Sequence, residues 1–163
     1  MLGISKRALK LKNIMTYLVG VLICLGLGIG SGLVSQHSFE WYHQLTQPAL
    51  QPPEWIFAPI WTLLYILMGV VLGHLYLYPT SPIIWCLFSL QLLCNIIWSP
   101  LFFYANRINL ALIDLFILFG CLITWLIIHR HQSMRLWLFI PYTLWTGFAL
   151  YLNMSLYFLN STQ

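Results

Sequence analysis

Five stretches, at roughly residues 13–35, 54–78, 83–104, 108–129 and 135–159, are apolar almost without a break and take up most of the chain. No other feature limits the fold as much. Each is long enough for a helix to cross a hydrocarbon core of about 30 Å, which takes roughly 20 residues at about 1.5 Å of rise each. In lipid only helices and closed barrels satisfy every backbone N–H and C=O, and apolar runs without two-residue alternation choose helices. Charged residues make up 6% of the 163, against roughly 25% in an ordinary soluble domain, so this chain cannot cover a soluble surface. The expected architecture is all-α and integral to a membrane: a five-transmembrane-helix antiparallel bundle, with residues 1–163 forming a single transmembrane domain.

The connections between the runs are unequal. YPTSP, YANR and RHQSM are short, whereas QHSFEWYHQLTQPALQPP, residues 36–53, is long, polar, rich in proline and aromatics, and carries Glu40 with Glu54 just beyond it. A loop of that length over tightly turned helices is a candidate lid. Lys6, Arg7, Lys10, Lys12, Arg130 and Arg135 fall on one side of the membrane and Arg107 alone on the other. The positive-inside rule therefore places the N terminus in the cytoplasm and the C terminus outside. This asymmetry accounts for the net charge of +4, so no nucleic-acid partner is expected, and the basic N terminus suits anionic membrane lipid.

Several features have bland explanations. Basic residues before the first apolar run resemble a signal peptide, but the run is long enough to span and no A-x-A-like cleavage site stands out. GLGIGSG has the look of a phosphate loop without the preceding strand that such a loop needs, so Gly26, Gly28, Gly30 and Gly32 are read as helix-packing positions. Cys24, Cys86, Cys94 and Cys121 lie in apolar runs without metal-ligand spacing and are read as packing residues. His37, His43, His129 and His131 sit at loops or helix ends, where interfacial solvation explains them, and His74 lies near an inner helix end. No metal site is expected.

The eight tryptophans carry more information once sorted by depth. Trp55, Trp85, Trp125 and Trp137 lie near helix ends and Trp41 in the loop, where the aromatic belt of membrane proteins accounts for them. Trp61, Trp98 and Trp145 lie deeper, and a belt does not explain them. At helical spacing they form faces with their neighbours: Trp61, Tyr65 and Met68; Gln91, Asn95, Trp98 and Phe102; Trp145, Phe148, Ala149 and Leu152. Asn95 is costly facing lipid and is expected to point inward, paired with a helix neighbour or a ligand. The faces either pack on one another or enclose a guest. Because Trp61, Asn95 and Trp98 converge beneath the long loop, a pocket for a flat apolar molecule, such as a macrocycle, sterol or polycyclic aromatic, is expected.

WYHQLTQPALQPPEWIFAPIWTLLYILMG from Trp41, NIIWSPLFF from Asn95 and IPYTLWTGFALYLN from Ile140 together resemble the TspO/MBR family of tryptophan-rich sensory proteins, which includes the mitochondrial translocator or peripheral benzodiazepine receptor. The resemblance covers nearly everything after the first helix. It implies a five-helix bundle, usually dimeric, with a pocket capped by the loop between the first two spans. It also implies binding of porphyrins such as protoporphyrin IX and haem, of sterols, and of benzodiazepine-type drugs, with no obligatory cofactor. By motif it implies Pro48, Trp61, Tyr65, Asn95, Trp98, Trp145, Phe148, Ala149 and Leu152 as ligand-binding residues. The chain departs from the pattern at Gln47, where lysine is common, at Leu50, where an aromatic is usual, and at Tyr104, where glycine is usual. Nothing basic follows Arg135 in the last helix, which argues against cholesterol as the natural ligand. A bacterial membrane is expected over a mitochondrial one.

Glu40, Glu54 and Asp114 are the only acidic residues, and neither an acid–base pair nor an activated nucleophile emerges for conventional catalysis. Glu40 and Glu54 belong to a loop end, and Asp114 is read as a helix-packing or topology residue. Some bacterial relatives are associated with light- and oxygen-dependent porphyrin degradation, which the resemblance assigns to Trp61 and Trp145. Three readings stay open: a tetrapyrrole-binding sensor, a photochemical porphyrin-degrading enzyme, and a carrier of porphyrin or lipid.

Overall fold

A computed structural model describes residues 6–35, 39–131 and 133–161; His37 and the start of the long loop at 36–38 lie outside the described residues. The elements are α1 (Lys6–Ser35), α2 (Phe39–Gln44), a 3₁₀ turn (Glu54–Ile56), α3 (Phe57–Leu77), α4 (Pro82–Ser99) continuing into a π-helical turn (Pro100–Tyr104), α5 (Ile108–Ile128) and α6 (Ser133–Asn160). Among the described residues there is no strand. Among the described residues four helical segments, Lys6–Val34, Glu54–Leu77, Pro82–Tyr104 and Ile108–Ile128, are long and apolar enough to cross a membrane. The expected fifth, α6, has ample length at 28 residues, but its tryptophans, tyrosines, threonines, Asn153 and Pro141 dilute its apolar character.

Neighbouring contacts run α1 on α3, α3 on α6, α6 on α5, α5 on α4 and α4 back on α1, so the long helices close into a ring. The α1–α3 side is drawn together by glycines, although not chiefly those the sequence suggested. A Cβ on Gly69 would run into the Cα of Val21, one on Gly20 into the carbonyl of Gly69, and one on Gly73 would lie 2.9 Å from the Cα of Tyr17. Gly26, Gly30 and Gly32 face open space, and of the expected set only Gly28 meets a neighbour, the ring of Tyr65. Close backbone approach needs small residues on both helices at one crossing, and Gly69 and Gly73 supply the second half of that requirement only beside Gly20.

At the end remote from the α1–α3 loop, hereafter the far end, apolar side chains pack the middle of the ring, beside a second pocket of about 260 Å³ lined by Leu72, Trp85, Phe88 and Leu92. Leu64, Met68, Phe88, Leu118, Leu122, Trp125, Phe139 and Tyr142 are buried in one cluster. This corrects the belt reading of Trp125, which is 1% exposed, whereas Trp55 and Trp137 are 73% and 67% exposed, as interfacial residues are. His129, also read as a solvated helix-end residue, is buried beneath Trp125, with ring centroids 4.3 Å apart. Of the four cysteines, Cys86 alone is exposed.

At the lid end α4 gives way to the π turn because Pro100 has no N–H to continue the ladder. The N–H of Ala105 reaches back to the Pro100 carbonyl at 2.9 Å, and Asn106, at φ 52°, turns the chain so that the Arg107 N–H meets the Leu101 carbonyl at 3.0 Å. Asparagine tolerates the left-handed region better than most side chains. The π turn rotates Phe102 inward, where Trp98 stacks on it at 5.1 Å.

Candidate functional site

Under the α1–α3 loop the helices leave a cavity of about 410 Å³, within the roughly 300–1,000 Å³ of small-molecule sites. Its floor and walls carry Trp61 and Tyr65 of α3, Asn95 and Trp98 of α4, Phe102 of the π turn, and Ala149, Leu152, Asn153 and Leu156 of α6. Leu25, Gly28, Ile29 and Gly32 of α1 complete it, together with Phe57, Ala58 and Thr62 at the start of α3. Ile29, Gly32, Ala58 and Thr62 are also exposed on the outside of the bundle, so the cavity opens sideways between α1 and α3. Tyr42, Gln51 and Glu54 close it from the lid.

The polar groups at its base are satisfied by one another. Tyr65 Oη donates to Asn95 Oδ1 at 2.5 Å, and Asn95 Nδ2 donates to Tyr142 Oη at 2.9 Å. Asn95 is therefore paired with helix neighbours, which resolves the choice its intramembrane position posed. These bonds tie α3, α4 and α6 together and fix the Tyr65 ring that Gly28 makes room for. Ser31 Oγ of α1 donates to the Ile96 carbonyl of α4 at 3.1 Å.

The lid is built rather than slack. The short helix α2 lays Trp41 and Tyr42 against Phe102, centroids 5.7 and 6.1 Å away, and Tyr42 against Phe103 at 5.8 Å. Asn160, near the end of α6, holds the loop with a reciprocal pair: its Oδ1 accepts from the Thr46 N–H at 2.9 Å and its Nδ2 donates to the Thr46 carbonyl at 3.2 Å. His43 and Glu54 pair at 3.4 Å on the exposed face. Burial, and then the Glu54 carboxylate, push the Tyr42 phenol from 10.0 up to about 12, against a smaller opposing hydrogen bond from Gln51.

Of the residues singled out from the sequence, Trp61, Tyr65, Asn95, Trp98, Ala149 and Leu152 meet at this one cavity, and Pro48, Trp145 and Phe148 do not line it. Pro48 is buried in the lid, where its carbonyl accepts from the Gln51 N–H at 3.1 Å. Trp145 stands behind Phe57, edge-on at 5.8 Å, and Phe148 stacks over Tyr151 at 6.2 Å. Helical spacing groups Trp145, Phe148, Ala149 and Leu152 on a broad face, but only the Ala149–Leu152 side of it turns to the void. The contribution of α1, Phe57 and Asn153 escaped sequence reasoning. Asn153 carried a signal of its own, an amide in an apolar helix one turn beyond Ala149. Asp114, read as a helix-packing or topology residue, is buried, with its Oδ2 unpartnered among the described residues. Among the described residues no group of three His, Cys, Asp or Glu side chains could hold a metal ion.

Comparison with known proteins agrees with this architecture. Residues 20–159 match the TspO/MBR family. The tryptophan-rich protein TspO of Chlorobaculum tepidum is 32% identical over 155 residues, covering 91% of this chain and 98% of its own; that of Archaeoglobus fulgidus is 34% identical over 152 residues, covering 91% and 99%. The human translocator protein is 30% identical over 138 residues, covering 79% of this chain and 80% of its own. With its several apolar helices, the chain is a multi-pass membrane protein and belongs to the TspO/MBR family.

Proposed function

We propose that this protein is a membrane receptor of the sensor type that binds porphyrins, such as protoporphyrin IX or haem, and related flat apolar molecules in the cavity under the lid. The observation that carries this reading is the void itself, walled by Trp61, Tyr65, Trp98, Phe57 and Phe102. Wide aromatic faces supply affinity by ring stacking and area burial, and a sideways opening suits guests that partition into lipid. The names of related proteins, translocator and tryptophan-rich sensory protein, accord with ligand handling in a membrane. On this reading α6 is a fifth span. The lid end faces away from the cytoplasm, since Lys6, Arg7, Lys10, Lys12 and Arg130 gather at the other end, and a homodimer is the working assembly.

The test is titration of protoporphyrin IX into proteoliposomes with tryptophan emission as readout. Saturable quenching is expected, with Kd on the order of 1 µM, roughly −8 kcal/mol; emission that falls linearly to the solubility limit refutes the pocket. Illuminated and dark samples of the same preparation separate binding from light-driven bleaching. Flux of trapped porphyrin separates a receptor from a carrier.

A further inference from the structure

Asp114 lies nearly two turns into α5, and the function proposed above gives it no task. It is buried, its Oδ2 accepts no hydrogen bond, and no lysine, arginine or histidine pairs with it among the described residues. A carboxyl group so placed in a span must find a cation, a hydrogen-bond donor or a proton. Two titratable groups face it: the Cys94 thiol of α4, within hydrogen-bonding reach, and the Tyr142 phenol of α6, close enough to feel its charge. Cys121, two turns further along α5, faces Cys94. Tyr104 of the π turn and Arg107 at the start of α5 are exposed.

Tyr142 ends the chain of bonds at the cavity base. Tyr65 donates to Asn95 and Asn95 donates to Tyr142 Oη, so both bonds point away from the cavity wall. The Tyr142 O–H then has no acceptor among the described residues, while the nearby Asp114 Oδ2 has no donor. An ionised Asp114 accepts that O–H, directly or through one water, and completes a run of donors from Tyr65 to the carboxylate. A protonated Asp114 has a proton of its own to place, which competes for Tyr142 Oη and leaves the phenol's proton unmet, so the hold on Tyr65 weakens. We propose that Asp114 is a proton-binding site within the span, and that Tyr142, Asn95 and Tyr65 carry its state to the cavity wall. A guest lying against Tyr65 then binds more tightly when Asp114 is ionised, and its binding releases the Asp114 proton to the aqueous phase. This rests on the ligand-binding reading above and adds a second ligand, the proton, outside the cavity lining.

The probe is the zinc complex of protoporphyrin IX dimethyl ester, which has neither free carboxyl groups nor ring N–H groups to titrate. Its Kd is measured in proteoliposomes from about pH 4.5 to 8.5, a range that reaches from ordinary carboxyl values past that of histidine. For the native protein Kd is expected to rise at least about 5-fold from the alkaline to the acid end. Binding at the midpoint should release about 0.4 proton per guest or more, as a 5-fold coupling requires, read from heats in buffers of unlike ionisation enthalpy. Asp114→Asn cannot ionise, so its Kd is expected to stay flat with no proton released. Tyr142→Phe keeps the ring against Phe139 without the hydroxyl; it too is expected to flatten Kd, and serves should Asp114→Asn fail to fold. A native Kd that is flat in pH, or a dependence that survives either variant and so belongs to groups such as the His43–Glu54 pair of the lid, overturns the proposal and leaves the ligand-binding reading standing. Saturable binding of neither this probe nor protoporphyrin IX at any pH overturns both.

Discussion

At the far end of the bundle Trp125 lies between Phe139 and His129, with centroids 4.7 and 4.3 Å away and planes within 18° and 30°. At the lid end Trp61 meets Tyr65 and Tyr142 only at 6.1 and 6.4 Å, and part of its ring faces a void. The two ends draw on the same residue types and differ in what stands opposite each ring. At the far end the Gly20–Gly69–Gly73 crossing clamps α1 to α3, and aromatic rings of α4, α5 and α6 fill the middle. At the lid end the glycines of α1 meet only the Tyr65 ring or nothing, and the π turn folds Trp98 onto Phe102 of its own segment. A deep tryptophan therefore becomes a pocket wall or a core residue according to whether neighbouring helices bring a second flat surface to it.

The sharpest way to break that contrast is to delete one ring at each end. Trp125→Ala is expected to cost about 3–5 kcal/mol, the range for a fully buried aromatic whose neighbours cannot collapse, read as earlier thermal exposure of the buried Cys24 and Cys94 to a thiol-reactive dye. Trp61→Ala, half-buried beside an existing cavity, is expected to cost about 1–2 kcal/mol on the same scale, while weakening porphyrin binding by about 10-fold or more. Comparable stability losses for both variants would mean that the lid end is as tightly packed as the far end.

Next in size is the glycine clamp. Gly69→Leu forces a side chain against the Val21 backbone, which cannot rotate away, and overpacking of this kind costs typically about 1–3 kcal/mol. Gly30→Leu, on the same face count but in open space, is expected to leave thermal exposure of Cys24 unchanged. An equal loss from the two would remove the clamp as the reason the far end is closed.

The contrast between the ends also explains what the sequence could and could not reveal. Apolar runs and short turns prescribe an all-helical membrane bundle, because lipid leaves the backbone no alternative. Trp61, Tyr65, Asn95 and Trp98 are legible as site residues because depth and spacing set them apart. Trp125 and Trp145 show the limit of that argument: their depth in the helix misplaces the first at an interface and the second on a cavity wall. What decides each is a ring from another helix, Phe139 beside Trp125 and Phe57 in front of Trp145. Such pairings are set by helix crossing and rotation, which spacing within one helix does not encode. The Asn160–Thr46 latch, joining residues 114 apart, is invisible for the same reason.

That latch gives a smaller effect. Asn160→Ala removes both bonds to Thr46 at an exposed site, worth together about 1 kcal/mol. It is expected to raise amide exchange across residues 45–51 and to speed porphyrin release by up to about 5-fold, with thermal exposure of Cys24 almost unchanged. A fall in overall stability instead would make the loop part of the bundle's core.

The smallest effect belongs to Tyr42, whose phenol is held neutral by burial and by the Glu54 carboxylate, with its pKa moved from 10.0 up to about 12. A raised pKa means that the closed lid binds the phenolic proton more tightly than the open one does, so its contribution is whole below pH 10 and is lost as pH climbs through 12. Porphyrin release from the native protein should accordingly quicken between pH 10 and 12. Tyr42→Phe keeps the ring against Phe102 and Phe103 but has no proton to lose, so its release rate should stay flat across that window. Tyrosinate absorbance, as the difference between the two proteins, should rise with a midpoint near the upper end of the same range. If both proteins release faster together, the alkaline opening arises elsewhere in the bundle, and the lid is held by Asn160 and ring packing without help from the neutral phenol.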